Sequence, residues 1–254
     1  MNPGLLKQYL EFYQDLGMKT LYRRESAARP VAQPAAQPAE AAQPPAATEP
    51  VLPEPPSLPP MTPHGETLLQ ILEDIGDCKR CRLHEGRNKL VFGVGNEKSP
   101  VVFVGEGPGA DEDAQGIPFV GRAGQLLTQM IENTAQKEGI PLHRSDVYIC
   151  NVVKCRPPEN RTPEPDEMAI CGEFLYRQLT TIQPKAICAL GGTAARALTG
   201  HKEGVTKMRG RWFEWRKIPV MVTYHPSYLL RPYNQAAKRE AWEDLKKLLH
   251  FVFD

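Results

Sequence analysis

Val101-Val102-Phe103-Val104-Gly105 is a continuous apolar run of strand length, and a glycine-rich loop, Glu106-Gly107-Pro108-Gly109, follows it directly. A run without polar alternation is what a strand buried on both faces requires, and such strands belong to parallel sheets covered by helices. Downstream, Val147–Val153, Lys185–Leu190 and Pro219–Tyr224 are three further runs of this kind, and Trp212–Trp215 reads as a small edge strand. The intervals have helical spacing. Gly121–Gly139 carries Leu126, Leu127, Met130 and Ile131, and a short helix runs from Gly191-Gly192-Thr193 to Leu198. Pro163–Ile182 is expected to start with Thr162 as cap and Pro163 in the first turn, and Ala237–Phe253 closes the chain. Strands alternating with helices predict an α/β protein: a three-layer α/β/α sandwich around a central, mostly parallel four-stranded sheet.

The rest of the 254 residues divides by composition. Residues 26–63 hold twelve of the twenty-five prolines and ten alanines, with no aromatic residue. Proline removes backbone donors and favours extended chain, so this stretch is expected to be a semi-rigid spacer with a reach on the order of 100 Å. Ahead of it, Leu5, Tyr9, Phe12 and Leu16 recur at helical spacing, so residues 1–25 are expected to form an amphipathic tail helix with a protein partner for its apolar face. The remaining segment, 64–254, is enough for one domain with a full core. The formal charge of +1 points to no class of partner. The N-terminus lacks the apolar core of a secretory signal, and no run approaches the roughly 18 apolar residues of a spanning helix. A monomer in the bacterial cytosol, away from membranes, is expected.

Three loops leave the C-terminal ends of the expected strands: 106–122, 151–162 and 225–232. In a doubly wound sheet such loops converge on one crevice. Gly105-x-Gly-x-Gly109 lacks the spacing of a dinucleotide loop, and no Gly-Lys-Ser/Thr follows, which excludes a P-loop. Phe119 sits between glycines in Gly116-Ile-Pro-Phe-Val-Gly121, where a flat ring either packs in the core or offers a stacking platform to a base. His225-Pro-Ser-Tyr-Leu-Leu-Arg231 places a rigidly held imidazole at a strand end. Leu230 and Arg231 combine an apolar wedge with a cation, a composition suited to entering a base stack and gripping phosphate. Arg80, Arg82, Arg87 and Lys89, then Lys154, Arg156 and Arg161, then Lys207, Arg209, Arg211, Arg216 and Lys217 flank these loops and are expected at the crevice mouth.

Cys78 and Cys81 form a C-x2-C pair, while Cys155 and Cys171 have fifteen residues between them. In a reducing compartment such thiols bind metal or react rather than pair as disulfides. Four thiolates suit structural zinc as well as an iron–sulfur cluster, and the spacing alone leaves both open. Either would fasten the segment before the first strand to the loop after the second. Cys150 and Cys188 lie in strand runs and read as core thiols.

Val104-Gly-Glu-Gly-Pro-Gly109, Phe119-Val-Gly-Arg-Ala-Gly-Gln-Leu-Leu127, Asn151-Val-Val-Lys-Cys-Arg-Pro-Pro158 and His225-Pro-Ser-Tyr-Leu-Leu-Arg231 together resemble the signature loops of the family 4 uracil-DNA glycosylases, from about Thr67 to the C-terminus. The resemblance implies that 64–254 is a glycosylase domain, that the four cysteines hold a [4Fe–4S] cluster with zinc as the alternative, and that the partner is uracil-containing DNA. It further implies an enzyme that extrudes uracil, hydrolyses its N-glycosidic bond and leaves an abasic site. A non-catalytic binder of uracil or single-stranded DNA is the alternative. By the same resemblance, Phe119 stacks on uracil, Asn151 reads its edge, His225 stabilises charge on O2, and the backbone of Glu106 and Gly107 assists. Better-known uracil glycosylases have an aspartate where this chain has Gly107. The water-activating group therefore falls among Asn160, Glu106 and Glu112, in that order, and Glu112 also matches a position suspected of excluding the thymine methyl.

Overall fold

The structure, a computed structural model, describes residues 65–231 and 233–254; the expected tail helix at 1–25 and the spacer at 26–63 lie outside the described residues. Six strands make one sheet: β1 (Val94–Gly95), β2 (Val101–Gly105), β3 (Tyr148–Asn151), β4 (Ala186–Leu190), β5 (Trp212–Trp215) and β6 (Ile218–Thr223), in the order β1-β3-β2-β4-β6-β5. The central four, β3-β2-β4-β6, are parallel and are the four main strands expected from the apolar runs. Antiparallel β1 and β5 extend the edges. β5 coincides with the expected edge strand. β1 is only two residues long and gave no apolar run to read.

Alternation along each central strand feeds two cores. Val102, Val104, Cys150, Ile187, Ala189, Val220 and Val222 face one side. Helices α1 (Leu68–Ile75), α4 (Pro165–Ile182) and α5 (Gly192–Thr199) cover that side. Phe103, Ile149, Cys188 and Met221 face the other, under α3 (Arg122–Lys137) and α8 (Gln235–Phe253). These strand side chains are 0–1% exposed, and each buried Val, Ile or Phe contributes about 1.5–3 kcal/mol. Cys150 and Cys188 are core thiols, as their positions predicted. The short helices α2 (Ala110–Gln115), α6 (Val205–Met208) and α7 (Pro226–Leu229) follow strand ends or connect elements.

One boundary differs from the expectation. In Thr162-Pro-Glu-Pro165 the second proline, not the first, opens α4, with Glu164 as cap. The cause is Glu167, whose carboxylate accepts the Glu164 N–H at 2.8 Å and fixes the first turn there.

Candidate active site

The chain steps from β2 to β3 on one side and continues through β4 to β6 on the other, so the C-terminal ends around β2 form the crevice of a doubly wound sheet. A cavity of about 310 Å³ opens there. Its lining comes from the loop after β2 (Glu106, Gly107, Pro108, Gly109), from Glu112, Phe119 and Ala123, from Asn151, Pro157, Asn160 and Arg161, and from His225 and Ser227. The three loops anticipated from the sequence therefore meet.

The floor is set by close packing on a glycine. A Cβ built on Gly105 would sit 2.6 Å from two ring carbons of Phe119 and closer still to Asn151 Oδ1, so ring and amide both lie against a bare Cα. The β2–β3 pairing continues beyond the strands, with Val152 N donating to the Gly105 carbonyl at 2.9 Å and Val153 N to the Glu106 carbonyl at 3.1 Å. Asn151 is 1% exposed, yet its Oδ1 has no hydrogen-bond partner among the described residues. A buried acceptor without a donor costs about 1–3 kcal/mol, which a ligand N–H in the cavity would recover. Phe119 satisfies both readings of its ring at once: it is 6% exposed, packs on the α3/α8 core, and lines the cavity.

His225 caps α7 from the end of β6. Its Nδ1 accepts the Ser227 backbone N–H at 3.2 Å and faces Ser227 Oγ at 2.8 Å. An acceptor Nδ1 places the ring proton on Nε2, making that atom the donor. Burial pushes the imidazole down to about 4 against an opposing pull from Glu112, so the ring is neutral at physiological pH. Its centroid stands 5.6 Å from that of Phe119. Gly191, at φ 92°, lets the β4 end close on His225: a Cβ there would lie 3.0 Å from the histidine Cβ.

The three candidate water activators are engaged differently. Glu112 accepts N–H groups from Gly109 (3.1 Å), Val120 (2.9 Å) and Gly121 (3.0 Å), tying the first loop to the Phe119 segment. Asn160, at φ 55°, accepts Arg156 Nε through its amide oxygen at 2.8 Å. Glu106 takes the Thr193 hydroxyl on one carboxylate oxygen. Gly107 leaves no room for a side chain, since a Cβ would lie 2.7 Å from Val153 Cγ2. Leu230 and Arg231 follow α7 and are not among the cavity's lining residues; Leu230 packs partly on the core and Arg231 lies over the Tyr228 ring at 5.7 Å.

The expected basic rim is largely consumed in structural pairs. Glu167 receives Arg161 at 2.7 and 2.8 Å and Arg82 at 3.0 Å, and these bonds, led by Arg161, hold its carboxyl down to about 2. Lys154 is fully buried, donating to the Asn151 carbonyl at 2.8 Å and Gln178 at 2.6 Å. Arg209 pairs with Asp244 on α8. Arg161 is the cation from these groups that lines the cavity.

Cys78, Cys81, Cys155 and Cys171 line a second, apolar-walled cavity with Ile75, Leu90 and Phe174, and all four are free thiols. Arg87 Nη1 and Lys154 N each donate to a sulfur at 3.2 Å, to Cys155 and Cys171 respectively. Among the described residues no three Cys, His, Asp or Glu side chains are drawn together tightly enough for a single metal ion. Four sulfurs around one apolar cavity, with N–H donors to two of them, are the kind of donor set that holds a thiolate-ligated metal group.

Comparisons with known proteins point to one family. The family model described as the uracil DNA glycosylase superfamily matches residues 92–246. A type-4 uracil-DNA glycosylase of Thermotoga maritima is 47% identical over 190 residues, 74% of this chain and 96% of the relative. Those of Archaeoglobus fulgidus and Sulfurisphaera tokodaii are 43% and 42% identical over 191 residues, 72% of this chain and 92% and 84% of the relatives.

Proposed function

Because this chain belongs to the type-4 uracil-DNA glycosylases of the uracil DNA glycosylase superfamily, we propose that it extrudes uracil from DNA and hydrolyses its N-glycosidic bond, leaving an abasic site. The observation that carries the proposal is the unpartnered Asn151 Oδ1, buried beside the Phe119 ring in a cavity that His225 also lines. Oδ1 accepts uracil N3–H and the amide NH2 donates to O4. Cytosine presents the reverse pattern and would leave buried groups unpaired, at about 1–3 kcal/mol each.

As the bond to the sugar breaks, negative charge grows on uracil O2. His225 Nε2–H, its tautomer set by the Ser227 N–H, donates to that oxygen. Of the three acid or amide candidates we favour Glu106 for orienting the attacking water. Its carboxylate is anchored by Thr193 at the cavity wall, whereas Glu112 is spent on three backbone amides and the Asn160 oxygen on Arg156. The neutral donor and the anchored carboxylate divide the work: one stabilises the leaving group, the other the nucleophile.

We assign Cys78, Cys81, Cys155 and Cys171 to a [4Fe–4S] cluster. Bound there, it would cross-link the segment after α1 to the loop after β3 and to Cys171 in α4; iron content with broad visible absorbance is the expected result, and zinc as the sole metal would overturn the assignment. The enzymatic reading is tested by incubating the protein with a uracil-bearing oligonucleotide and then alkali. Strand breakage at uracil is expected. Gel retardation without breakage would replace the enzyme by a non-catalytic binder.

A further inference from the structure

Phe119 has a φ of 55°, a conformation that a bulky aromatic residue keeps only where its surroundings over-determine it. Both flanks of the residue are held. On the C-terminal side, Glu112 accepts the N–H groups of Val120 and Gly121. On the N-terminal side, Arg144 Nη2 donates to the Pro118 carbonyl at 2.8 Å. Gly124 completes the fit, because a Cβ there would collide with the Phe119 carbonyl.

Arg144 is not among the cavity's lining residues; it sits in a short 3-10 turn, Arg144–Asp146, before β3. Its Nη1 donates to Thr128 Oγ1 at 3.0 Å, and that hydroxyl donates to the Gly124 carbonyl at 3.1 Å. Its backbone N–H donates to Glu132 at 3.1 Å. One half-buried guanidinium thus joins the first two turns of α3 to the peptide unit immediately before Phe119. Charge-assisted bonds of this kind are stronger than neutral ones and directional.

We propose that Arg144 is a positioning residue for uracil recognition, holding the Phe119 backbone in its left-handed conformation so that the ring is a preformed floor for the extruded base. The proposal rests on the uracil-excision reading of the cavity. It has a specific consequence: since Arg144 acts on the base only through Phe119, its contribution must disappear when the ring does.

A double-mutant cycle on uracil release tests this. Arg144→Met is expected to lower kcat/KM by roughly tenfold, whereas in a Phe119→Ala background it should cost less than about threefold. Equal losses in the two backgrounds would overturn the proposal. If Arg144→Met does not fold, Arg144→Gln, which keeps a shorter donor but loses the fork, is read by the same criterion. Hydrogen exchange over residues 117–124 gives a readout independent of activity: exchange should accelerate in the Arg144 variant, and unchanged protection would also overturn the clamp. A wild-type protein that releases no uracil would sink the glycosylase reading, and the exchange measurement would still decide the clamp.

Discussion

Gly105→Ala perturbs the proposed site with a single methyl group. Gly105 is not in the left-handed region, so alanine brings no backbone strain and the effect is steric. The new Cβ would sit 2.6 Å from Phe119 Cε2 and Cζ, where ordinary contact starts at 3.4 Å, and it would press harder still on Asn151 Oδ1. Ring and amide must retreat by about 0.8–1 Å. Overpacking of this size costs about 1–3 kcal/mol of stability. Catalysis should suffer more, because a displacement near 1 Å of groups that position a substrate can cost on the order of a hundredfold. The assay is single-turnover uracil release beside thermal unfolding. Gly139→Ala is the control: Gly139 has φ 71° with nothing within 4 Å, so alanine there should destabilise by about 1 kcal/mol and leave the rate alone. A Gly105→Ala rate within threefold of wild type would refute the reasoning.

His225→Ala should lose turnover severely while still retaining uracil DNA in a gel; an unchanged rate would remove the imidazole from the mechanism. Because His225 titrates near 4 folded and at 6.5 as an ordinary histidine, the unfolded chain binds the extra proton between these values. Stability should therefore fall as pH drops through that window, and His225→Gln should flatten this part of a pH–stability profile. Uracil release should fade only as pH nears 4, where protonated Nδ1 can no longer accept the Ser227 N–H. Glu112→Gln keeps an oxygen for the Val120 and Gly121 amides and should cost less than about tenfold, whereas a general base would cost about 100- to 10,000-fold. Removing residues 1–63 should leave uracil release intact; a lost rate would give that segment a part in the chemistry.

The parallel centre of the fold was legible because VVFVG and the runs at 147–153, 185–190 and 219–224 are apolar without alternation, a pattern that double-sided burial imposes. β1 was not, since Val94–Gly95 is too short to show a period. Phe119, between glycines ahead of a helix, and His225, at a strand end, were legible by residue type and position, whereas the part given to Asn151 came from the family resemblance. What each neighbour does was not. Glu112 reads as an acid near a loop tip, and only the fold shows its carboxylate collecting three backbone N–H groups. Arg144 gave no signal, for it lies 25 residues from Phe119 in sequence and reaches the segment through a carbonyl bond that any residue could accept. The basic residues misled for the converse reason: charge is visible in sequence, but buried partners such as Glu167 and Asp244 are recognised only when packing brings them together.

The most direct test is a crystal structure of the His225→Ala variant with a duplex carrying one uracil. The account predicts uracil out of the stack, its ring on Phe119 and its N3 about 3 Å from Asn151 Oδ1. A uracil left paired in the helix, or seated away from Asn151, would contradict it.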